Sequence, residues 1–309
     1  MPSPARPRRS VLYMPGSNAR ALEKAKSLPA DALILDLEDA VAVDAKAVAR
    51  TQVVDAVKTG GFGRRELLIR VNGLDTPWGE ADLAAAATAG AHAVLLPKVE
   101  SAATVQRAEA LLVAAGAPAD LAIWCMIETP FGALRTLEIA GASTRLGGFV
   151  MGTSDLAKDL NCLHTPDRLP FVTALGLSLL AARAYGLVAL DGVYLDLEDP
   201  SGLEAACRQG RELGFDGKTL IHPKQIAAAN DAFGPSEVEL ERARKITAAF
   251  EEAAAEGKGV VLVDGKLVEN LHVVQAQRLI ALADLIEGRD PAGNDAEPSP
   301  VRMEMQQEV

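Results

Sequence analysis

Twice in close succession an apolar run leads to a carboxylate: Ala122-Ile-Trp-Cys-Met-Ile-Glu128, then Gly147-Gly-Phe-Val-Met-Gly-Thr-Ser-Asp155. Runs of this length between turn signals suit strands buried on both faces. Neighbouring strands of a parallel sheet lie about 4.8 Å apart, so Glu128 and Asp155 would share one pocket at the carboxyl ends. Two carboxylates so placed repel and raise each other's pKa, and a bound divalent cation removes that penalty. Hard oxygen ligands in small number suit Mg²⁺, which keeps positions open for water and substrate. Each residue taken alone could equally be an acidic group at a helix start.

Other residues with chemistry fall at the ends of similar apolar runs. Arg70 closes a strand of otherwise apolar residues, and its guanidinium could bind a carboxylate or enolate oxygen, or pair with Asp36, Glu38 or Asp39. Those three carboxylates are too many for one metal, and Glu38 or Asp39 could orient water or Arg70. Lys98, after Pro97, pairs with such a carboxylate. Gly152, Thr153 and Ser154 precede Asp155, where glycine admits close approach and free backbone N–H groups could hold a substrate carboxylate; a plain tight turn is the alternative. Tyr13, Arg20 and Lys24 sit around the first loop and helix. Arg20 and Lys24 are four apart, hence on one helix face, and could hold phosphates or form an ordinary charged surface. His222, before Pro223, reads as a packed, hydrogen-bonded histidine.

The elements that must position these groups follow from periodicity. Strand patterns cover Ser10–Pro15, Ala32–Leu37, Glu66–Val71, Ala93–Val99, the two opening runs, Val188–Leu195 and Lys218–His222. Helical patterns separate them, including Ala19–Ser27 capped by Asn18, Asp44–Lys58, Trp78–Ala89, Ser101–Ala115, Pro130–Ala140, a long apolar helix within Arg168–Gly186, Gly202–Gly214 and Pro223–Phe233. Eight strand–helix units imply an α/β fold with a parallel sheet closed as a TIM (β/α)₈ barrel, rather than an open doubly wound sheet. Beyond it, Ser236–Glu256 reads as a helix opened by a Ser236/Glu239 capping box. A hairpin follows around Asp264-Gly265, then an amphipathic helix over Asn270–Glu287. The organisation expected is a barrel domain over 1–234, a helical arm or lid over 235–289, and a disordered tail over 290–309. Met1–Arg9 reads as a loose lead-in.

The net charge of −11 argues against a general nucleic-acid binder. Three cysteines without paired spacing fit a reducing compartment and no disulfide frame. No apolar run reaches membrane length, so the expectation is a cytoplasmic protein.

Taken together, these stretches resemble the HpcH/HpaI aldolase and citrate lyase superfamily, in the branch of the citrate lyase β subunit and the malyl-CoA and citramalyl-CoA lyases. The likeness is carried by Arg9-Ser-Val-Leu-Tyr-Met-Pro-Gly-Ser-Asn18, Leu35-Asp-Leu-Glu-Asp-Ala-Val41, Ile69-Arg-Val-Asn72, Leu96-Pro-Lys-Val-Glu100, Ile127-Glu-Thr-Pro130, Gly152-Thr-Ser-Asp-Leu156, Leu190-Asp-Gly-Val193 and Gly217-Lys-Thr-Leu-Ile-His-Pro223. Val263-Asp-Gly-Lys266 is similar to the tail segment of the CoA-ester lyases. The resemblance implies Mg²⁺ on Glu128 and Asp155, substrate contacts from Arg70 and Glu128, a CoA thioester substrate, and a homotrimer or homohexamer. It implies Asp264 as the acid/base, reaching a neighbouring subunit's site. Gly-Thr-Ser-Asp replaces the Gly-Ala-Glu-Asp usual in citrate lyase subunits and so favours a free CoA-ester lyase. A citrate lyase β subunit, a metal-dependent 2-oxo acid aldolase and a non-catalytic CoA-ester-binding scaffold subunit are the alternatives.

Overall fold

In the computed structural model, which describes residues 6–288, the chain falls into two compact units, Arg8–Phe233 and a second beginning at Gly234. Eight parallel strands close the first unit into a barrel in sequence order. They are β1 (Ser10–Pro15), β2 (Ala32–Asp36), β3 (Glu66–Arg70), β4 (Ala93–Leu96), β5 (Ala122–Ile127), β6 (Leu146–Met151), β7 (Val188–Asp191) and β8 (Gly217–Leu220). Helices follow the strands, as the alternation of the two periodicities requires.

Period-two alternation sorts each strand into two cores. Val11, Ile34, Leu68, Leu95, Trp124, Met126, Val150 and Leu190 pack together inside the barrel. Leu12, Leu33, Leu35, Ile69, Val94, Ile123 and Cys125 face the surrounding helices. Both faces of a strand are therefore apolar, which is why these segments read as unbroken hydrophobic runs. Continuing the alternation by one step places Tyr13, Asp36, Arg70 and Glu128 on the inward side at the carboxyl ends of their strands.

The amino end of the barrel is built differently. Arg8 pairs with Glu66, the first residue of β3, through two bonds, and its guanidinium lies 5.5 Å from the Trp124 ring centroid. Arg9 pairs with Asp31 at 2.8 Å. These contacts correct the reading of Met1–Arg9 as a loose lead-in: Arg8 is buried, and both arginines are anchored. Residues 1–5, and the expected tail over 290–309, lie outside the described residues.

Other boundaries shift for local reasons. β7 stops at Asp191 rather than Leu195, because the Asp191 carboxylate accepts bonds from Arg168, Lys218 and the Gly192 amide and ends the ladder there. The helix expected over Pro130–Ala140 divides at Arg135 into Pro130–Leu134 and Thr136–Ala140.

The second unit comprises helices Glu237–Ala255 and Asn270–Glu287 with a hairpin of Val261–Val263 and Lys266–Val268 between them. The Ser236/Glu239 capping box opens the first helix. Ala243, Ile246, Val268, Val273 and Ala276 form its own small core. The hairpin turns on Asp264 and Gly265, with φ of +50° and +73°, the pairing a two-residue I′ turn demands. Among the described residues, no helix is long and apolar enough to cross a membrane.

Candidate active site

The carboxyl ends of β1 to β6 bring the polar residues together. Arg70 leaves β3 beside Asp36 of β2, its register partner. Its Nε and Nη2 each donate to the Asp36 carboxylate at 2.6 Å. Its Nη1 lies 2.8 Å from Glu38 and 3.6 Å from Asp39. The guanidinium also sits 4.9 Å from the Tyr13 ring centroid and 3.7 Å from the Met126 sulfur. Against a burial that works to deprotonate it, the bonds it donates to Asp36 hold the Arg70 cation firmly charged. Both readings of Arg70 are therefore compatible: it is an ion-pair partner, and Asp36 holds its plane at a fixed angle. Asp36 itself is completely buried and also accepts the amides of Glu38 and Ala40.

Tyr13 belongs to this group rather than to the loop and helix that follow. Period two from Val11 turns it inward, and burial raises its hydroxyl pKa well above the ordinary value. Arg20 and Lys24 stay exposed on helix Ala19–Ala25, so the three do not form one cluster.

Glu128 follows the last residue of β5 and is buried. It does not cap the next helix: the Thr129 side chain does so, accepting the Gly132 amide. Burial pushes the Glu128 carboxyl up to about 7, opposed by the Lys98 amide that donates to Oε1 at 2.7 Å. Its other flank is Gly152, where an added Cβ would collide with the Glu128 Cβ and Oε2. Glycine is thus required there by close approach.

Asp155 is not at a strand end. β6 stops at Met151, Gly152 is the residue before helix Thr153–Leu160, and Asp155 lies in that helix's first turn. The sequence pattern joins the apolar run to the acidic residue, but the Gly-Thr-Ser step already belongs to the helix start. The Asp155 carboxylate lies 3.8 Å from the Lys98 ammonium and 3.4 Å from that of Lys158. No side chain caps this helix. Thr153 is buried and Ser154 exposed.

Lys98 ties these parts together, and its pairing with Glu38 at 2.8 Å was legible from the sequence. What the sequence did not show is its backbone. Lys98 is left-handed, with φ of +48°, and turns its amide toward Glu128 while its ammonium reaches Glu38 and Asp155. A polar residue following Pro97 at a strand end was the only signal available. Among the more distant residues, His222 caps the turn Pro223–Gln225 by accepting the Lys224 amide, in keeping with a packed histidine. Asp196 and Glu198 are exposed. Asp264 lies at the exposed tip of the hairpin in the second unit.

Among the described residues, no three His, Cys, Asp or Glu side chains form a ready metal cage. The donor set still fits a magnesium ion. Glu128 and Asp155 offer hard oxygens from two elements that flank Gly152, and a six-coordinate ion commonly takes few protein ligands and several waters. Glu38 adds a third carboxylate nearby, its two oxygens held by the Arg70 guanidinium and the Lys98 ammonium. Burial raises the pKa of Glu38 as it does that of Glu128, and desolvated carboxylates gain most from a cation.

Comparison with known proteins finds relatives over nearly the whole chain. A family model described as HpcH/HpaI aldolase/citrate lyase matches residues 9–223. A (3S)-malyl-CoA thioesterase of Cereibacter sphaeroides is 54% identical over 282 residues, covering 91% of this chain and 96% of its own. An L-malyl-CoA/beta-methylmalyl-CoA lyase of Cereibacter sphaeroides is 35% identical over 309 residues, covering 92% and 97%. The structure of the protein CitE from Mycobacterium tuberculosis in complex with magnesium, acetoacetate and coenzyme A superposes with a TM-score of 0.73 at 31% identity, over 91% of this chain and 98% of that one.

Proposed function

The chain belongs to the HpcH/HpaI aldolase/citrate lyase family, whose relatives are enzymes of CoA thioesters, and from that premise we propose that it cleaves a malyl-CoA-type 3-hydroxyacyl-CoA in a magnesium-dependent reaction. The observation that supports this reading is that Lys98 contacts Glu128 through its amide and Asp155 through its ammonium, and shares Glu38 with Arg70, at the carboxyl end of the barrel. That end is where barrel enzymes place their chemistry.

The first reading is a carbon–carbon lyase. The bond between the α and β carbons of the acyl chain breaks, leaving a 2-oxo acid such as glyoxylate and an acyl-CoA enolate that takes up a proton. A magnesium ion held by Glu128 and Asp155 would supply Lewis acidity, polarising the 2-oxo acid's carbonyl and easing deprotonation of the hydroxyl that becomes it. Arg70 stabilises the charge that develops on the thioester oxygen, its angle set by Asp36. The backbone N–H groups of Thr153 and Ser154, at a helix start without a side-chain cap, hold the substrate carboxylate. Gly152 leaves room for Glu128 and the substrate to approach closely. Asp264 exchanges the proton at carbon, delivered by the hairpin of a neighbouring copy. Arg20 and Lys24, on the exposed face of the first helix, take the CoA phosphates, with Tyr13 at the thioester end. A homotrimer or homohexamer accounts for the exposed Phe131, Leu134, Leu137 and Leu180 on helices that pack against one another.

A second reading is thioester hydrolysis on the same substrate class. It is favoured by the higher identity to the thioesterase, 54% against 35% for the lyase. One experiment decides. Purified protein with Mg²⁺ and (3S)-malyl-CoA is followed by chromatography of the CoA species. Acetyl-CoA and glyoxylate establish the lyase; free CoA and malate establish the hydrolase. An unchanged malyl-CoA pool, with turnover of free 2-oxo acids and aldehydes instead, would select an aldolase. Binding with no turnover of either kind would select the scaffold.

A further inference from the structure

Lys98 carries an arrangement that the reaction above does not use. Four described residues other than glycine have positive φ, and Lys98 is the one among them that contacts the site carboxylates. A side-chain-bearing residue keeps this backbone only where its surroundings hold it. Three contacts do so. The amide donates to Glu128 Oε1 at 2.7 Å, the ammonium donates to Glu38 Oε1 at 2.8 Å, and it lies 3.8 Å from Asp155 Oδ2. One residue thus grips three carboxylates that would otherwise repel one another. The ammonium offers them the same service as a metal ion, a compact positive charge. It also has somewhere to go. Lys98 and Glu38 both line a cavity of about 450 Å³ with Asp75, Thr76, Thr104 and Arg107, and Asp75 offers a second carboxylate there, outside the pairing of Glu38 with Arg70.

We propose that Lys98 is a built-in counter-ion. Its ammonium competes with the divalent cation for Glu38 and Asp155 and withdraws into the adjacent cavity when the cation binds. Its amide stays behind and keeps Glu128 in place. The two halves of the residue have separate roles: the backbone positions a ligand, and the side chain sets how tightly the site holds its ion. This rests on the reading of Glu128 and Asp155 as a cation site.

The test is a calorimetric titration of Mg²⁺ into the full chain without substrate. Lys98→Met removes the charge and leaves the amide, so Mg²⁺ binds at least about tenfold more tightly than to wild type, since like charges at this range repel strongly even when screened. Lys98→Arg keeps the charge and gains no affinity. Melting curves give a second readout: without Mg²⁺ the Lys98→Met protein melts lower than wild type, and added Mg²⁺ raises its melting point by more. Should Lys98→Met fail to fold, Lys98→Gly takes its place, because glycine accepts the left-handed backbone without strain and keeps the amide. Magnesium affinity equal to or weaker than wild type in a folded Lys98→Met or Lys98→Gly protein overturns the proposal. A wild-type protein that binds no Mg²⁺ at all, or binds it unchanged after Glu128→Gln, overturns the cation-site reading and this inference with it.

Discussion

Replacing Gly152 with alanine tests the site with a single methyl group. Gly152 has φ of −105°, a conformation open to any residue, so alanine brings no backbone penalty and the effect is purely one of space. The new Cβ falls within collision distance of both the Cβ and Oε2 of Glu128. Glu128 has little freedom to retreat. It is 2% exposed, its Oε1 is held by the Lys98 amide at 2.7 Å, and its strand is locked by the pairing of Ile127 with Met151. Relief requires a displacement of about an ångström, a misplacement that costs on the order of 10²-fold in rate when it falls on a catalytic group. Overpacking of this kind also costs about 1–3 kcal/mol of stability. We expect folded Gly152→Ala protein with Mg²⁺ affinity reduced by roughly 10–100-fold, the effect typical of disturbing a metal ligand's support. Turnover of the CoA ester should fall by about 10²-fold. Calorimetry, steady-state assay and melting measure the three quantities. Wild-type affinity and turnover in a folded variant would show that nothing reacts where Glu128 and Gly152 meet.

Further substitutions separate the remaining roles. Glu128→Gln and Asp155→Asn should each abolish measurable Mg²⁺ binding and turnover while circular dichroism stays native; Mg²⁺ affinity at the wild-type level would remove either residue from the ligand set. Asp264→Ala should lower turnover by about 10²–10⁴-fold, the usual cost of a lost acid or base. Its sedimentation and Mg²⁺ binding should match wild type, and preserved turnover would make the hairpin purely structural. Asp36→Ala strips the buried Arg70 of its two-bond partner and should cost about 3–5 kcal/mol, read by denaturant unfolding. A loss under about 1 kcal/mol would mean that Glu38 and Asp39 suffice to hold the guanidinium.

The barrel was legible because most of its strands are apolar on both faces, which writes unbroken apolar runs into the sequence; β8, with Lys218 and Thr219 bonded to Asp191, is the exception. The caps at Asn18 and Ser236, and the Asp264-Gly265 turn, are local signals and were equally readable. What depends on register was harder. Tyr13 lies in the expected strand Ser10–Pro15 yet groups by sequence with Arg20 and Lys24, and only barrel closure sets its ring against Arg70. Asp155 falls at an apparent strand end because an apolar run and a helix start are adjacent in sequence, and periodicity does not mark where one gives way to the other. The Lys98 ion pair is a matter of residue type, but its left-handed backbone is a tertiary consequence of Glu128 needing an amide from the next strand. Arg8 and Glu66 are far apart in the chain, so nothing local announced that Arg8 is bound to the barrel.

That arginine has a consequence for traffic. With Arg8 bridged to Glu66 beneath a fully buried Trp124, the barrel is stoppered at one end, and everything that enters or leaves uses the opposite rim. A ligand of Glu128, Arg70 or Lys98 must therefore arrive and leave by that one rim.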